Sequence, residues 1–163
     1  MENVGHKNQN KTNIIEYYQG NYIKVDLFDK EAQNWAKEIA RDEKKMGYSQ
    51  VRKFYDELLR IQESIEREIL SDPHNDSHKR NVYLKYLPEI RMLKAKAYYS
   101  INRKNIKMSR KFYDFIRYNI DYVTKDIEKY TDDIIEKSLK KFEIFVKFFE
   151  SVVAYLRGEL NRD

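Results

Sequence analysis

Between positions 49 and 70, Val51, Phe54, Tyr55, Leu58, Ile61, Ile65 and Ile69 recur at intervals of three and four residues. An α-helix turns once in ~3.6 residues, so this spacing collects the apolar side chains on one flank and the polar ones on the other. A helix of that kind must bury its stripe against other elements. The chain offers few alternatives to more helices, because its 163 residues contain only four Gly and two Pro, too few for a sandwich or barrel rich in tight turns. The length suits one domain with a real core. The expected fold is all-α, a compact bundle of five to six helices.

The same periodicity organises the chain into an N-terminal segment, 1–28, and a helical-bundle domain, 29–163. Positions 1–13 are polar and rich in Asn and Lys, a composition expected to be partly disordered. From 14 to 28 the chain turns apolar and aromatic, broken at Gly20-Asn21. This is a strap over the core or an arm for a partner, and the only stretch where strands compete with helix. Asp29 is a candidate N-cap for a helix to about position 46, with Trp35, Ala36 and Ile39 inward. Ser49 is the candidate cap of the next helix. The polar 71–78 stretch, with Pro73, His74, Asn75 and His78, is expected to be a loop. The third helix is placed from about Tyr83 or Leu87, since Pro88 is tolerated only in a first turn. Ser109 is the candidate cap of a fourth helix bearing Phe112, Phe115, Ile116, Ile120 and Val123. A weaker amphipathic stretch follows, and a last helix spans about 138–160. Its two apolar stripes, one through Phe142, Phe145 and Phe149 and one through Ile144, Phe148 and Tyr155, place it at the bundle centre or against a partner subunit.

Charge is concentrated. The 79–111 segment holds eleven Lys or Arg against one acid, Glu89, so it is more positive than the whole chain's net of +5 and the remainder is acidic. Such a segment calls for a polyanion or an acidic protein surface. Arg91, Lys94 and Tyr98 share one flank of the third helix, combining cations for phosphates with an aromatic ring for stacking. Lys96 and Arg103 project from the other flank. On the second helix Lys53, Arg60 and Arg67 form a row at seven-residue spacing. Catalysis finds little support: the three His fall in tail or loop, no Gly-rich turn cradles phosphates, and Cys is absent. His74 and His78 match no firm metal-ligand spacing. No cofactor or metal is expected. Neither a signal peptide nor a membrane-spanning run is evident, which points to a cytoplasmic protein with no membrane partner.

Three stretches carry a family resemblance. Residues Tyr48-Ser49-Gln50-Val51-Arg52-Lys53-Phe54-Tyr55-Asp56-Glu57-Leu58-Leu59-Arg60, then Tyr86-Leu87-Pro88-Glu89-Ile90-Arg91-Met92-Leu93-Lys94-Ala95-Lys96-Ala97-Tyr98, then Phe145-Val146-Lys147-Phe148-Phe149-Glu150-Ser151-Val152-Val153-Ala154-Tyr155 resemble, in order and spacing, the small helical subunit of type III-A CRISPR–Cas effector (Csm) complexes. The resemblance implies a non-catalytic antiviral-defence protein that stacks in several copies against RAMP-type backbone subunits. It implies contact with the backbone of the guide RNA–target RNA duplex, without sequence specificity. Transferred position by position, the RNA-binding residues are Arg52, Lys53, Arg60, Arg91, Lys94 and Lys96. Arg67, Arg80 and Arg103 extend that set by helix-face geometry. The alternative is a helical oligomeric adaptor whose basic helix docks on an acidic protein surface.

Overall fold

The computed structural model describes residues 15–42, 47–103 and 108–160. The polar 1–13 tail, the end of the first helix near 46, and Lys104, Asn105 and Lys107 of the basic segment lie outside the described residues. Among the described residues the architecture is an all-α bundle of five helices: α1 Ala32–Arg41, α2 Tyr48–Ile69, α3 Asp76–Ile101, α4 Arg110–Val123 and α5 Asp132–Leu160. A minimal antiparallel hairpin precedes them, β1 Tyr18–Gln19 paired with β2 Tyr22–Ile23, turning at Gly20 with φ 61. That left-handed conformation suits a residue without Cβ.

The 29-residue α5 packs against α1, α2, α3 and α4. Both its apolar stripes pack into the bundle, with Phe145 and Phe149 fully enclosed, Phe148 and Ile144 nearly so and Tyr155 half-buried. Beyond its first two turns, its exposed positions follow one side through Lys140, Glu143, Lys147, Glu150, Ala154, Arg157 and Gly158. The second stripe is therefore used inside the bundle and is not left for a partner subunit. Phe112 and Phe115 of α4 meet Phe149 at ring-centroid separations of 6.0 and 5.3 Å, and Tyr55 of α2 meets it edge-on at 5.5 Å. Trp35 of α1 closes the cluster against Phe115 at 5.4 Å. Tyr17, ahead of the hairpin, is fully buried and donates its hydroxyl to Asn119 Oδ1 at 2.6 Å. Burial pushes that hydroxyl pKa far up, so it remains a donor.

Four boundaries differ from the sequence expectation. Asp29 is not the cap of the first helix. It lies inside a π-helical turn, Leu27–Glu31, that leads into α1, and its carboxylate accepts from Tyr155 of α5 at 2.5 Å. Ser49 lies within α2, whose N-cap is Gly47. The Gln50 side chain reaches back to accept the Gly47 N–H. The largest correction is at α3. Asn75 accepts the His78 N–H at 3.1 Å, so the helix begins at Asp76 and the presumed loop supplies its cap and first turn. Asn and Asp favour turns and helix N-caps for the same reason, a short polar side chain that satisfies nearby backbone N–H groups. Pro88 consequently sits mid-helix, where lost hydrogen bonding costs about 3 kcal/mol. Burial of Val82, Tyr83, Leu87, Ile90 and Leu93 on the same helix offsets it. Last, α5 begins at Asp132, six residues before the expected start, after a 3₁₀ turn, Ile127–Lys129, bracketed by positive φ at Asp126 and Tyr130.

At α4 the expected cap is present. Ser109 is fully buried, accepts the Phe112 N–H at 3.1 Å and donates to Asp42 Oδ2 at 2.8 Å. Ser109→Ala is expected to destabilise by about 1–2 kcal/mol, since it removes a cap and strips a hydrogen bond from a carboxylate. Urea denaturation measures this, and an unchanged midpoint would mean that water replaces the hydroxyl without loss.

Candidate nucleic-acid interface

Helices α2, α3 and α4 form a layer in which α3 lies between the other two, with α5 behind it. The chain reverses between α3 and α4, so Tyr98 and Tyr113 come within 5.8 Å of each other. The third and fourth helices are thus an antiparallel pair, not a continuous rod. The cations expected on two flanks of α3 are found on the two seams of this layer. Lys96 faces α2, where it pairs with Glu57, while Arg91 and Lys94 face α4.

Ion pairs bridge both seams and were not foreseen. Arg91 binds Glu128 Oε1 at 2.7 Å and also donates to the Thr124 hydroxyl and carbonyl at 3.3 and 3.4 Å. Lys94 meets Asp121 at 2.5 Å. Across the other seam Arg60 meets Glu89 at 3.4 Å, and Lys85 meets Glu68 at 2.7 Å. The Glu128 carboxyl is held below the ordinary carboxylate range by its own backbone N–H and then by Arg91. Arg52 pairs along its own helix with Asp56 at 2.9 Å and lies over the Tyr55 ring; hydrogen bonding with Tyr48, then with Asp56, raises its pKa further. Exposed pairs of this kind are weak because water screens them, so an arriving phosphate displaces them at small cost.

The nine candidate cations do not form one cluster. Lys53, Arg60 and Arg67 run along α2, and Glu57 and Arg60 on that face both touch α3, which sets the row beside the α2–α3 seam. Lys53 and Arg67 are exposed and have no ion-pair partner among the described residues. Arg103 lies over the Tyr99 ring at 5.3 Å. Arg80 is set apart from the rest. Its side chain is only 19% exposed, and it joins α3 to the start of α5 through Asp132 at 3.4 Å and Glu136 at 2.7 Å.

On the other seam, a groove of ≈ 520 Å³ runs between α3 and α4, with Ala95 and Ile120 beneath and Arg91, Lys94, Tyr98, Tyr113, Asp121 and Glu128 around it. Tyr113, Asp121, Thr124 and Glu128 escaped the sequence reasoning. Only the antiparallel register of α3 and α4 brings them opposite Tyr98, Lys94 and Arg91. Among the described residues no group of His, Asp or Glu is arranged to hold a metal ion. His78 Nε2 lies instead against Ser71 Oγ and the Glu68 carbonyl at 3.1 and 2.9 Å. No helix of the described residues is long and apolar enough to cross a membrane.

The family model described as Csm2 Type III-A matches residues 23–160, which include α1 to α5 and the whole α2–α3–α4 layer. No curated protein and no solved structure matches the chain.

Proposed function

The chain belongs to the Csm2 Type III-A family and is a subunit of a type III-A CRISPR effector, and from that premise we propose that it is a non-catalytic cytoplasmic subunit. It binds the backbone of the guide–target RNA duplex without sequence specificity. In this proposal it acts in several stacked copies alongside RAMP-type backbone subunits, while other subunits carry out cleavage. The observation that carries the proposal is the exposed α2 row, in which Lys53 and Arg67 have no ion-pair partner among the described residues and lie beside the cations of α3. Cations spaced along a helix match a polyphosphate, and the layer presents no element that reads base edges in a groove. The charge asymmetry of the sequence gives less support to the adaptor alternative. The acidic groups met by Lys85, Arg91, Lys94 and Lys96 belong to the same chain.

Filter binding of an RNA duplex across a salt series tests the proposal. Affinity is expected to fall linearly in log salt, equally for unrelated sequences. The double variant Arg91→Ala/Lys94→Ala is expected to bind more weakly and to flatten that slope by about 2. It also leaves Asp121 and Glu128 without these partners, which adds repulsion. No RNA binding at low salt, together with purification from the host free of guide RNA, would overturn the proposal.

A further inference from the structure

Where α4 hands over to α5, a cavity of ≈ 190 Å³ is lined by Lys125, Lys137 and Lys141, by two carboxylates, Asp126 and Asp133, and by the buried Ser138. Both carboxylates are engaged, Asp133 with Lys137 at 3.0 Å and Asp126 with Lys129 at 3.9 Å. Lys125 and Lys141 have no ion-pair partner among the described residues. Lys141 is half-buried, its Nζ 4.5 Å from the centroid of the Tyr122 ring. Glu16 of the N-terminal segment acts on it from across that ring, but the carboxylate already accepts from the Tyr122 hydroxyl at 2.7 Å and the Tyr18 N–H at 3.0 Å. Burial, the largest influence, holds the Lys141 pKa below the ordinary lysine range. Glu16 opposes that shift, Lys125 and Lys137 reinforce it by repulsion, and Asp126 opposes it last.

We infer that Lys141 is a site of acylation, and that the cavity takes a small acyl phosphate, its phosphate on Lys125 and its acyl carbon at the Lys141 amine. A lysine is a nucleophile only without its extra proton, and both desolvation and neighbouring cations favour that form. Lys125 is exposed and has no ion pair among the described residues for a phosphate to displace. The cavity is smaller than drug-sized sites of about 300 Å³ and above, which suits a short acyl group with a single phosphate. In the step, the neutral Nζ gives its electron pair to the acyl carbon and the carbon–oxygen bond to the phosphate breaks. The phosphate leaves with that bonding pair and takes the amine proton, and a neutral amide remains. The product lacks the positive charge that acts on Glu16 and lies beside Tyr122, whose hydroxyl also accepts the Tyr17 N–H at 3.2 Å. This chemistry is separate from the RNA-binding role proposed above and does not depend on it.

The probe is acetyl phosphate, added to the full-length protein from about pH 7 to pH 10, with peptide mass spectrometry reading the rate at each lysine. Lys53, exposed and without an ion-pair partner among the described residues, is the internal reference. Near neutral pH, Lys141 is expected to acetylate several-fold faster than Lys53, and its rate to level off at a lower pH, because its amine loses its proton earlier. Lys125→Gln is expected to bring the Lys141 rate down towards that of Lys53 and to leave Lys53 unchanged; circular dichroism establishes that the variant folds. With N-acetylimidazole, an uncharged acyl donor, the same substitution is expected to cost Lys141 less. Equal rates at Lys141 and Lys53 overturn the inference, as does a Lys141 advantage that Lys125→Gln leaves intact. An equal loss with both donors overturns the placing of the phosphate on Lys125.

Discussion

Phe149→Ala is expected to lower the unfolding free energy by roughly 3–5 kcal/mol. The side chain is fully buried at the meeting point of three helices, with Phe145 stacked at 5.9 Å, Phe115 at 5.3 Å, Tyr55 at 5.5 Å and Phe112 at 6.0 Å. Removing the ring forfeits its transfer free energy and leaves a cavity that four surrounding aromatic groups, themselves locked by packing, cannot collapse to fill. For a chain of this length the loss corresponds to a drop in Tm of roughly 6–20 °C. Thermal and urea denaturation measure it. A wild-type midpoint would place the ring outside the packed core.

The second large effect is expected on affinity. Lys53→Ala/Arg60→Ala/Arg67→Ala should weaken duplex RNA binding by at least about tenfold at moderate salt and flatten the log–log salt slope by about 2 to 3, because each lost phosphate contact retains counterions on the RNA. Stability should scarcely change. All three side chains are exposed, and the only ion pair lost among the described residues is Arg60–Glu89, at the surface. Two of the three cations removed, Lys53 and Arg67, have no ion-pair partner among the described residues, and only Arg60 is paired. Among the described residues Lys53 and Arg67 have no carboxylate to release before a phosphate arrives, whereas Arg91 and Lys94 exchange one anion for another. If the slope of the triple variant equals that of the unaltered protein, the α2 row is not where RNA lies.

Much of the helical pattern was legible because amphipathic spacing records which face a helix buries. The α2 stripe was read correctly for that reason, and the Ser109 cap of α4 because a Ser hydroxyl just ahead of an apolar stripe can accept an N–H of the first turn. So were the two apolar sides of α5, although not which of two explanations applied to them. Caps were read less well. Asn75 and Asp76 satisfy backbone groups in a turn and at a helix start alike, so residue type could not tell the two apart. Pro88 argued for a short third helix, and intrinsic propensity was overridden by the apolar residues that α3 buries on both sides of it.

The candidate site divides along the same line. Charge is a property of sequence, so the basic segment and the seven-residue row on α2 were visible at once. Neutralisation is a property of neighbours. Glu57 lies far from Lys96 in the chain, and Asp121 far from Lys94, and only the antiparallel packing of α2 and α4 on α3 brings them together. The sequence by itself determined which faces are apolar and where positive charge gathers, because both depend on residue type and helical period. Only the tertiary structure decided which cations remain free for an anion and that Tyr98 shares a groove with Tyr113, because those depend on distances between helices that no local pattern encodes.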